Sequence, residues 1–257
     1  MLAVPYLTAA AVAGEWNSPL LLAAACALAV FLLRGSLDAR ACAEGIRGSG
    51  WKKLSEPAHL LLAAIALLAA GGLLLGYERW ALVPLGAGAL LLDLLQTKVA
   101  ARHEQNPTEK RSLAAVLLGV VLLSFSAPVP WLAARNMLEA AALHIWALNL
   151  VFFLGGVLYV KYRVRGLHSH RAFRTVGGRI SFAAPVLLYH ALLFAFLLVF
   201  ILWGIFPAVV LLAFAPAIFR AGALVAQLGR RFPIRRLGWM EVIHSLVFAT
   251  HLVLALR

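Results

Sequence analysis

Residues 136–179 read NMLEAAALHIWALNLVFFLGGVLYVKYRVRGLHSHRAFRTVGGR, and this stretch contains the pattern on which the fold of the whole chain depends. Its first part, 136–160, is almost entirely apolar. It is long enough to cross a bilayer, because a helix rises ~1.5 Å per residue and a span needs about 20 apolar residues. Its second part, 161–179, carries six Lys and Arg residues. The stretch therefore predicts a membrane-spanning helix that ends in a basic connection.

The same alternation of apolar runs and basic connections recurs along the chain. Four basic segments hold 19 of the 23 Lys and Arg residues: 34–53, 98–111, 161–179 and 230–236. Short loops rich in Lys and Arg stay on the cytoplasmic side of a membrane. We therefore expect all four segments to face the cytoplasm and the intervening connections to face outwards.

The composition is far more apolar than that of a soluble domain. The chain has 63% hydrophobic and 13% charged residues, whereas soluble domains average roughly 45–50% and 25%. Its net charge of +13 is divided among short loops, where it suits an anionic membrane surface. The sequence lacks the combined aromatic and basic surface that nucleic-acid binding needs. We predict a multi-pass protein of the cell membrane, of the bacterial plasma-membrane type, whose partners are the lipid bilayer and its anionic lipids and not nucleic acid.

Eight apolar runs are long enough to be membrane spans. Pro128 and Pro130 are expected to close the fourth of them, which would leave 128–135 as an external loop. The shorter run Leu2–Gly14 predicts a ninth span that lacks its first turns. With nine spans, the amino end would lie inside and the carboxyl end outside. Whether Met1 is the true start stays open. We expect an all-α, single-domain membrane bundle (1–257) of eight or nine transmembrane helices. The eight runs are 19–34, 57–76, 80–97, 112–128, 136–160, 180–204, 207–227 and 237–256.

Three stretches carry a resemblance to a known family. They are Met1–Leu7 (MLAVPYL), Phe31–Leu37 (FLLRGSL) and Trp146–Lys161 (WALNLVFFLGGVLYVK), the last followed by Arg163 and Arg165. In these stretches the chain resembles YwiC-like membrane proteins, over nearly its whole length and most specifically from Asn149 to Arg165. Members of that family carry a Glu-His-Gly-Ala-Trp type run ahead of the methionine that matches Met1, and this chain lacks it. The resemblance implies a membrane bundle but no settled biochemical activity.

A more distant architectural likeness is to UbiA-type prenyltransferases. These have nine helices and two acidic, magnesium-binding motifs, which lie in the cytoplasmic connections after the second and sixth helices. The matching connections here are 34–53, with only Asp38 and Glu44, and 161–179, with no acidic residue. Mg²⁺ bound to a diphosphate needs carboxylate ligands, so ordinary magnesium-dependent prenyl transfer is not expected. A UbiA-like arrangement remains the favoured architecture, whereas enzymatic activity and any cofactor stay open.

The basic connection 161–179 is a candidate binding site. Guanidinium and imidazole donors bind phosphate well, so this segment can hold the head group of an isoprenoid or another anionic lipid. The simpler interpretation is that its cations only set the topology and contact anionic lipids. The candidate residues are Arg163, Arg165, His168, His170, Arg171 and Arg174.

Polar residues inside the spans are the second group of candidates, because ionisable side chains are costly in a bilayer. Glu241, His244 and His251 recur on one face of the last span, and Glu139 lies four residues after Arg135, where the two can pair. The stripe on the last span has three interpretations: hydrogen-bonded packing between helices, a proton or solute path, or ligation of a metal or haem, for which no second pair of ligands is evident. No metal site is assigned. The full set is Asp93, Glu139, His144, Asn149, His190, Glu241, His244 and His251.

The sequence leaves three functions open. The first is a lipid-handling protein that binds an isoprenoid or anionic lipid near its cytoplasmic face. The alternative is a small-solute or proton transporter that uses the Glu and His stripe of the last span. The third is a membrane subunit without a ligand of its own.

Overall fold

The computed structural model describes residues 3–43, 56–104, 113–166, 175–228 and 233–257. These residues are almost entirely helical, and none of them lies in a β-strand. The helices are α1 (Ala3–Ala13), α2 (Ser18–Ala43), α3 (Glu56–Gly71, continued by a π-helical turn at Gly72–Gly76), α4 (Leu82–Glu104), α5 (Leu113–Ser124), α6 (Pro128–Arg135), α7 (Ala140–Gly166), α8 (Val176–Leu202), α9 (Val210–Gln227) and α10 (Ile234–Leu256).

Eight apolar helical stretches within the described ranges are long enough to cross a membrane. This confirms the predicted all-α multi-pass bundle and identifies the chain as an integral membrane protein. The stretches are Ser18–Ser36, Glu56–Gly76, Leu82–Val99, Ala114–Arg135, Ala140–Gly166, Val176–Leu202, Val210–Gln227 and Ile234–Leu256. They match the eight predicted runs closely, except at the end of the fourth.

The fourth span corrects one prediction. Pro128 and Pro130 do not close it; they lie in the first turn of α6, which continues to Arg135. Proline suits this position because its missing N–H would have no intrahelical partner there. α6 is buried along most of its length, so 128–135 is not an external loop. The chain turns instead at Asn136, which has a left-handed conformation (φ 58°).

The helices form an up-and-down bundle around α7. α7 packs against α1, α5, α6, α8, α9 and α10. The helix ends that flank the four basic segments lie at one end of the bundle, which we name the basic end. There, Arg34 near the end of α2 bonds Gln96 of α4, and Tyr159 of α7 bonds Gln227 of α9. At the other end, Arg135 of α6 bonds the carbonyl of Ala13 in α1.

The main hydrophobic core lies between α7, α8, α9 and α10. Its centre is aromatic: Phe152 stacks on Phe248 with ring centroids 3.8 Å apart, and Phe214 meets Phe248 edge-on at 5.2 Å. Phe214 and Phe248 are fully buried. This aromatic layer, Phe152, Phe214 and Phe248, separates the basic half of the four-helix unit from its other half.

Candidate functional site

A buried polar cluster lies in the basic half of the α7–α10 unit, and Arg220 of α9 is its centre. Arg220 is only 5% exposed. Its Nη1 forms an ion pair with Oε1 of Glu241 on α10 and lies 3.2 Å from Nδ1 of His244. The guanidinium also sits over the ring of Tyr159, 4.7 Å from the ring centroid. One arginine thus joins three helices through charge, hydrogen bonding and cation–π contact.

The face of α10 that was expected to be polar is the face that turns inward. Glu241, Ser245 and Phe248 are buried, and the hydroxyl of Ser245 donates to the carbonyl of Glu241 at 2.8 Å. The spacing of three to four residues puts these side chains on one side of the helix. That side faces α9 and α7, so the polar groups avoid lipid.

Two adjacent glycines on α7 make room for the cluster. A Cβ atom at Gly156 would lie 3.3 Å from Oε2 of Glu241 and 3.4 Å from Nη2 of Arg220. A Cβ at Gly155 would lie 3.2 Å from Nε2 of His190 on α8. The two residues without side chains therefore let α7 approach polar groups from three neighbouring helices.

His190 is brought to the edge of this cluster. It is 3% exposed, and its Nδ1 lies 2.8 Å from the carbonyl oxygen of Val186. Because a carbonyl only accepts, Nδ1 carries the proton and a neutral ring presents a lone pair at Nε2. That Nε2 has no hydrogen-bond partner among the described residues and points towards Gly155.

The cluster extends towards the basic end through Arg163. This residue is buried, and its Nη1 donates to the carbonyl of Gln227. The Tyr159 hydroxyl donates to the Oε1 atom of Gln227 at 3.2 Å. Among the described residues, the cluster therefore holds two guanidinium groups and one carboxylate, that of Glu241.

Arg220 keeps unused donor capacity. Its Nε and Nη2 atoms are buried and have no hydrogen-bond acceptor within the described part of the chain. Buried N–H donors of a charged group are normally paired, since leaving one unpaired costs about 1–3 kcal/mol or more. Two adjacent N–H groups of one guanidinium are suited to a bidentate contact with the oxygens of a phosphate or carboxylate.

The predicted basic site is divided by the structure. Arg163 is buried in the cluster, whereas Arg165 is exposed, its guanidinium 5.8 Å from the ring of Tyr162. The other four predicted residues, His168, His170, Arg171 and Arg174, lie outside the described residues.

Two of the predicted intramembrane residues are used in ion pairs far from Arg220. Asp93 of α4 pairs with Arg34 of α2, whose Nη2 also donates to Oε1 of Gln96 at 3.0 Å. Glu139 pairs with Arg135 at 3.3 Å, as its spacing predicted. The first pair joins α2 to α4, and the second lies at the turn between α6 and α7, so neither pair forms part of the cluster.

The remaining predicted residues lie beyond the aromatic layer or bond their own helix. His144 is half-buried and packs edge-on against Phe206 at 5.3 Å, and Asn149 is fully buried and donates to the carbonyl of Ile145 at 2.9 Å. Nδ1 of His251 lies 2.8 Å from the carbonyl of Val247. The structure therefore gathers Glu241, His244 and His190 around Arg220 and leaves the other predicted residues elsewhere.

Sequence reasoning missed Arg220, although a signal was present. It lies in the middle of the apolar run Val210–Gln227, where an arginine is costly unless it is paired.

The buried hydrogen bond of 2.7 Å between Ser36 on α2 and Nε2 of His59 on α3 was missed too. Within the described ranges, no group of three or more His, Cys, Asp or Glu side chains is arranged to hold a metal ion.

Comparison of the chain with protein-family models, with curated proteins and with solved structures finds no match.

Proposed function

We propose that this membrane protein binds an anionic lipid at the basic end of the α7–α10 unit, with the head group at Arg220 and its tail between helices. The observation that carries the proposal is the buried guanidinium of Arg220, which has two N–H groups without an acceptor among the described residues. A phosphate or carboxylate head group supplies the oxygens that these donors need.

The surroundings of Arg220 favour an anion over a cation. Arg163 lies in the same cluster, while Glu241 already neutralises Arg220 from one side. In a low-dielectric interior each such charge acts more strongly than in water. The described part of the cluster thus contains two guanidinium groups and one carboxylate.

The route for the head group is the basic connection. Arg165 is exposed at the end of α7, and the segment 161–179 carries six cations in sequence. Cations beside the membrane attract anionic head groups, each contributing about 1 kcal/mol near the surface. We propose that these arginines collect the lipid and that Arg220 holds it. An isoprenoid or acyl tail would then lie against the apolar faces of the helices.

The transporter alternative has less support from the packing. A path along the stripe of α10 would have to connect Glu241 and His244 with His251. Phe248 lies between them on that face, and it stacks on Phe152 with centroids 3.8 Å apart. The buried aromatic layer therefore fills the interior between the two histidines.

Membership of the YwiC-like proteins and a UbiA-like arrangement of the helices remain proposals. The first rests on the stretches of sequence quoted above, and the second on the expected number of helices and the positions of the connections 34–53 and 161–179. A lipid-binding role is compatible with each, and neither assigns a reaction.

Replacement of the central ion pair tests the proposal. The double variant Arg220→Gln, Glu241→Gln removes both charges together, since removing Arg220 alone would leave Glu241 buried and unpaired at a cost of about 3–5 kcal/mol. We expect about tenfold less anionic lipid to be retained through purification, because a charged hydrogen bond is worth roughly 1.5–3 kcal/mol. Native mass spectrometry of the detergent-purified protein measures the retained lipid.

The matched control is Arg34→Gln, Asp93→Gln, which removes the ion pair between α2 and α4. It should retain lipid as the unmodified protein does. Equal retention by both double variants, with both still folded by circular dichroism, would exclude Arg220 as the head-group site.

A further inference from the structure

His244 contacts the central arginine of the cluster through one ring nitrogen. Nη1 of Arg220 lies 3.2 Å from its Nδ1, and arginine can only donate, so this contact needs a lone pair on Nδ1. A proton on Nδ1 is therefore incompatible with this contact.

The charged and titratable groups around His244 come from three helices. α9 contributes Arg220, and α10 itself contributes Glu241, three residues earlier. α7 contributes Tyr159, whose ring covers the guanidinium. α1 also packs against α10, but Ala3–Ala13 contains no charged residue, only Tyr6, whose hydroxyl donates to the carbonyl of Leu20.

Unlike Arg220 and Glu241, His244 is only half-buried. Among the described residues, it is therefore the least covered titratable group of the cluster. His190, the other histidine near the cluster, is almost fully buried.

We propose that anion binding at Arg220 is coupled to protonation of His244, an inference that rests on the function proposed above. In the unprotonated ring, Nδ1 accepts a hydrogen bond from Arg220. In the protonated ring, Nδ1 carries a proton and no longer accepts, so the contact with Arg220 is lost.

The direction of the coupling follows from the charges. A protonated His244 adds a positive charge beside Arg220, and a bound anion compensates that charge. The protonated ring also attracts the carboxylate of Glu241, one turn earlier on the same helix. This attraction weakens the ion pair between Glu241 and Arg220. Coupling between two binding events is reciprocal. Anion binding at Arg220 therefore favours protonation of His244, and protonation of His244 favours anion binding. Anion affinity should therefore be high below the histidine pKa and should fall as the pH rises through it.

The experiment uses phosphatidylglycerol as the probe, in phosphatidylcholine nanodiscs that contain the full-length protein. Retention is measured at about pH 5 and about pH 8, on either side of the ordinary histidine pKa of ~6.5. We expect retention by the unmodified protein to be about fivefold or more higher at the lower pH, the size of a typical coupling. His244→Gln should remove this pH dependence.

The matched control is His251→Gln, on the same helix, where Nδ1 bonds only the helix backbone at Val247. It should keep the pH dependence. If His244→Gln stays pH-dependent, or if the unmodified protein binds equally at both pH values, this inference is wrong while the lipid-binding function stands. If the unmodified protein retains no phosphatidylglycerol at either pH, the proposed function itself fails.

A second measurement guards against misfolding of the variant. Phosphatidylglycerol is added to the unmodified protein in weakly buffered solution near neutral pH, and proton uptake is recorded. Coupling requires net uptake as the lipid binds, and lipid binding without uptake would overturn the inference.

Discussion

At the scale of single residues, the cluster depends on a position that has no side chain. Gly156 faces both members of the central ion pair, and the nearest atoms of Glu241 and Arg220 lie 3.3 and 3.4 Å from where a Cβ would stand. Both neighbours are buried and held by each other, so neither can move away freely. A methyl group at this position would push α7 from α9 and α10.

We predict that Gly156→Ala destabilises the protein by about 1–3 kcal/mol, the usual cost of overpacking a well-packed interior. It should also lower lipid retention, because the displaced guanidinium no longer presents its donors. Unfolding of the detergent-solubilised protein measures the first effect, and native mass spectrometry measures the second.

Gly222→Ala is the control for this substitution. Gly222 lies on α9 close to Arg220 in sequence, but a Cβ there meets nothing within 4 Å. Alanine in a helix is favoured over glycine by roughly 0.5–1 kcal/mol, so this variant should be as stable as the parent or slightly more stable. A comparable loss of stability in both variants would contradict the role assigned to Gly156.

At the scale of secondary-structure elements, α1 is too short to be held by its own helical bonds. Its 11 residues are below the length at which isolated helices are stable in water. Small buried residues, among them Ala9, Ala10 and Ala13, let it pack closely on α6, α7 and α10. Arg135 of α6 adds polar contacts at the end of α1: it donates to the carbonyl of Ala13 at 3.0 Å and pairs with Glu15 at 3.3 Å.

We predict that Arg135→Met loosens α1 by about 1–2 kcal/mol. The hydrogen bond from a charged group to a carbonyl dominates this loss, since exposed ion pairs add little. Hydrogen exchange should become faster in the backbone amides of α1 and not in those of α9.

Arg79→Met is the comparison for Arg135→Met. Arg79 also donates to a carbonyl of α6, that of Ala134 at 3.3 Å, but this contact does not involve α1. Faster exchange in α1 with both variants would mean that general loosening of α6, and not the contact with Ala13, is the cause.

At the scale of the whole molecule, the alternation of basic and neutral connections predicts the orientation in the membrane. The described helices alternate in direction, so the ends that flank the basic segments lie together. We expect this end to face the cytoplasm, because short basic loops resist translocation.

Single cysteines in a variant without Cys26 and Cys42 test that orientation. Glu78→Cys and Met137→Cys, in the exposed turns opposite the basic end, should react with a membrane-impermeant maleimide in intact cells. Val176→Cys and Ile234→Cys, both exposed at the basic end, should react only after the membrane is opened. The reverse pattern would invert the topology and would place the proposed lipid site on the outer face.

The sequence by itself determined that the chain is a helical membrane protein and where its eight long spans lie. Hydropathy and charge are summed over neighbouring residues, so they can be read along the chain without knowing which helices meet. They also identified the polar face of α10, because the spacing of Glu241 and His244 is a property of one helix.

Only the tertiary structure decided the partners of those residues. Apart from the polar face of α10, the spans are apolar on nearly every side, so their patterns do not specify which faces meet. Nothing local indicated that Arg220 pairs with Glu241, 21 residues later in the chain, or that Gly156 makes room for both. The same reason explains the error at Pro128 and Pro130: two prolines suit the start of a buried helix as well as the end of a span, and packing against α1, α2 and α7 selects the first.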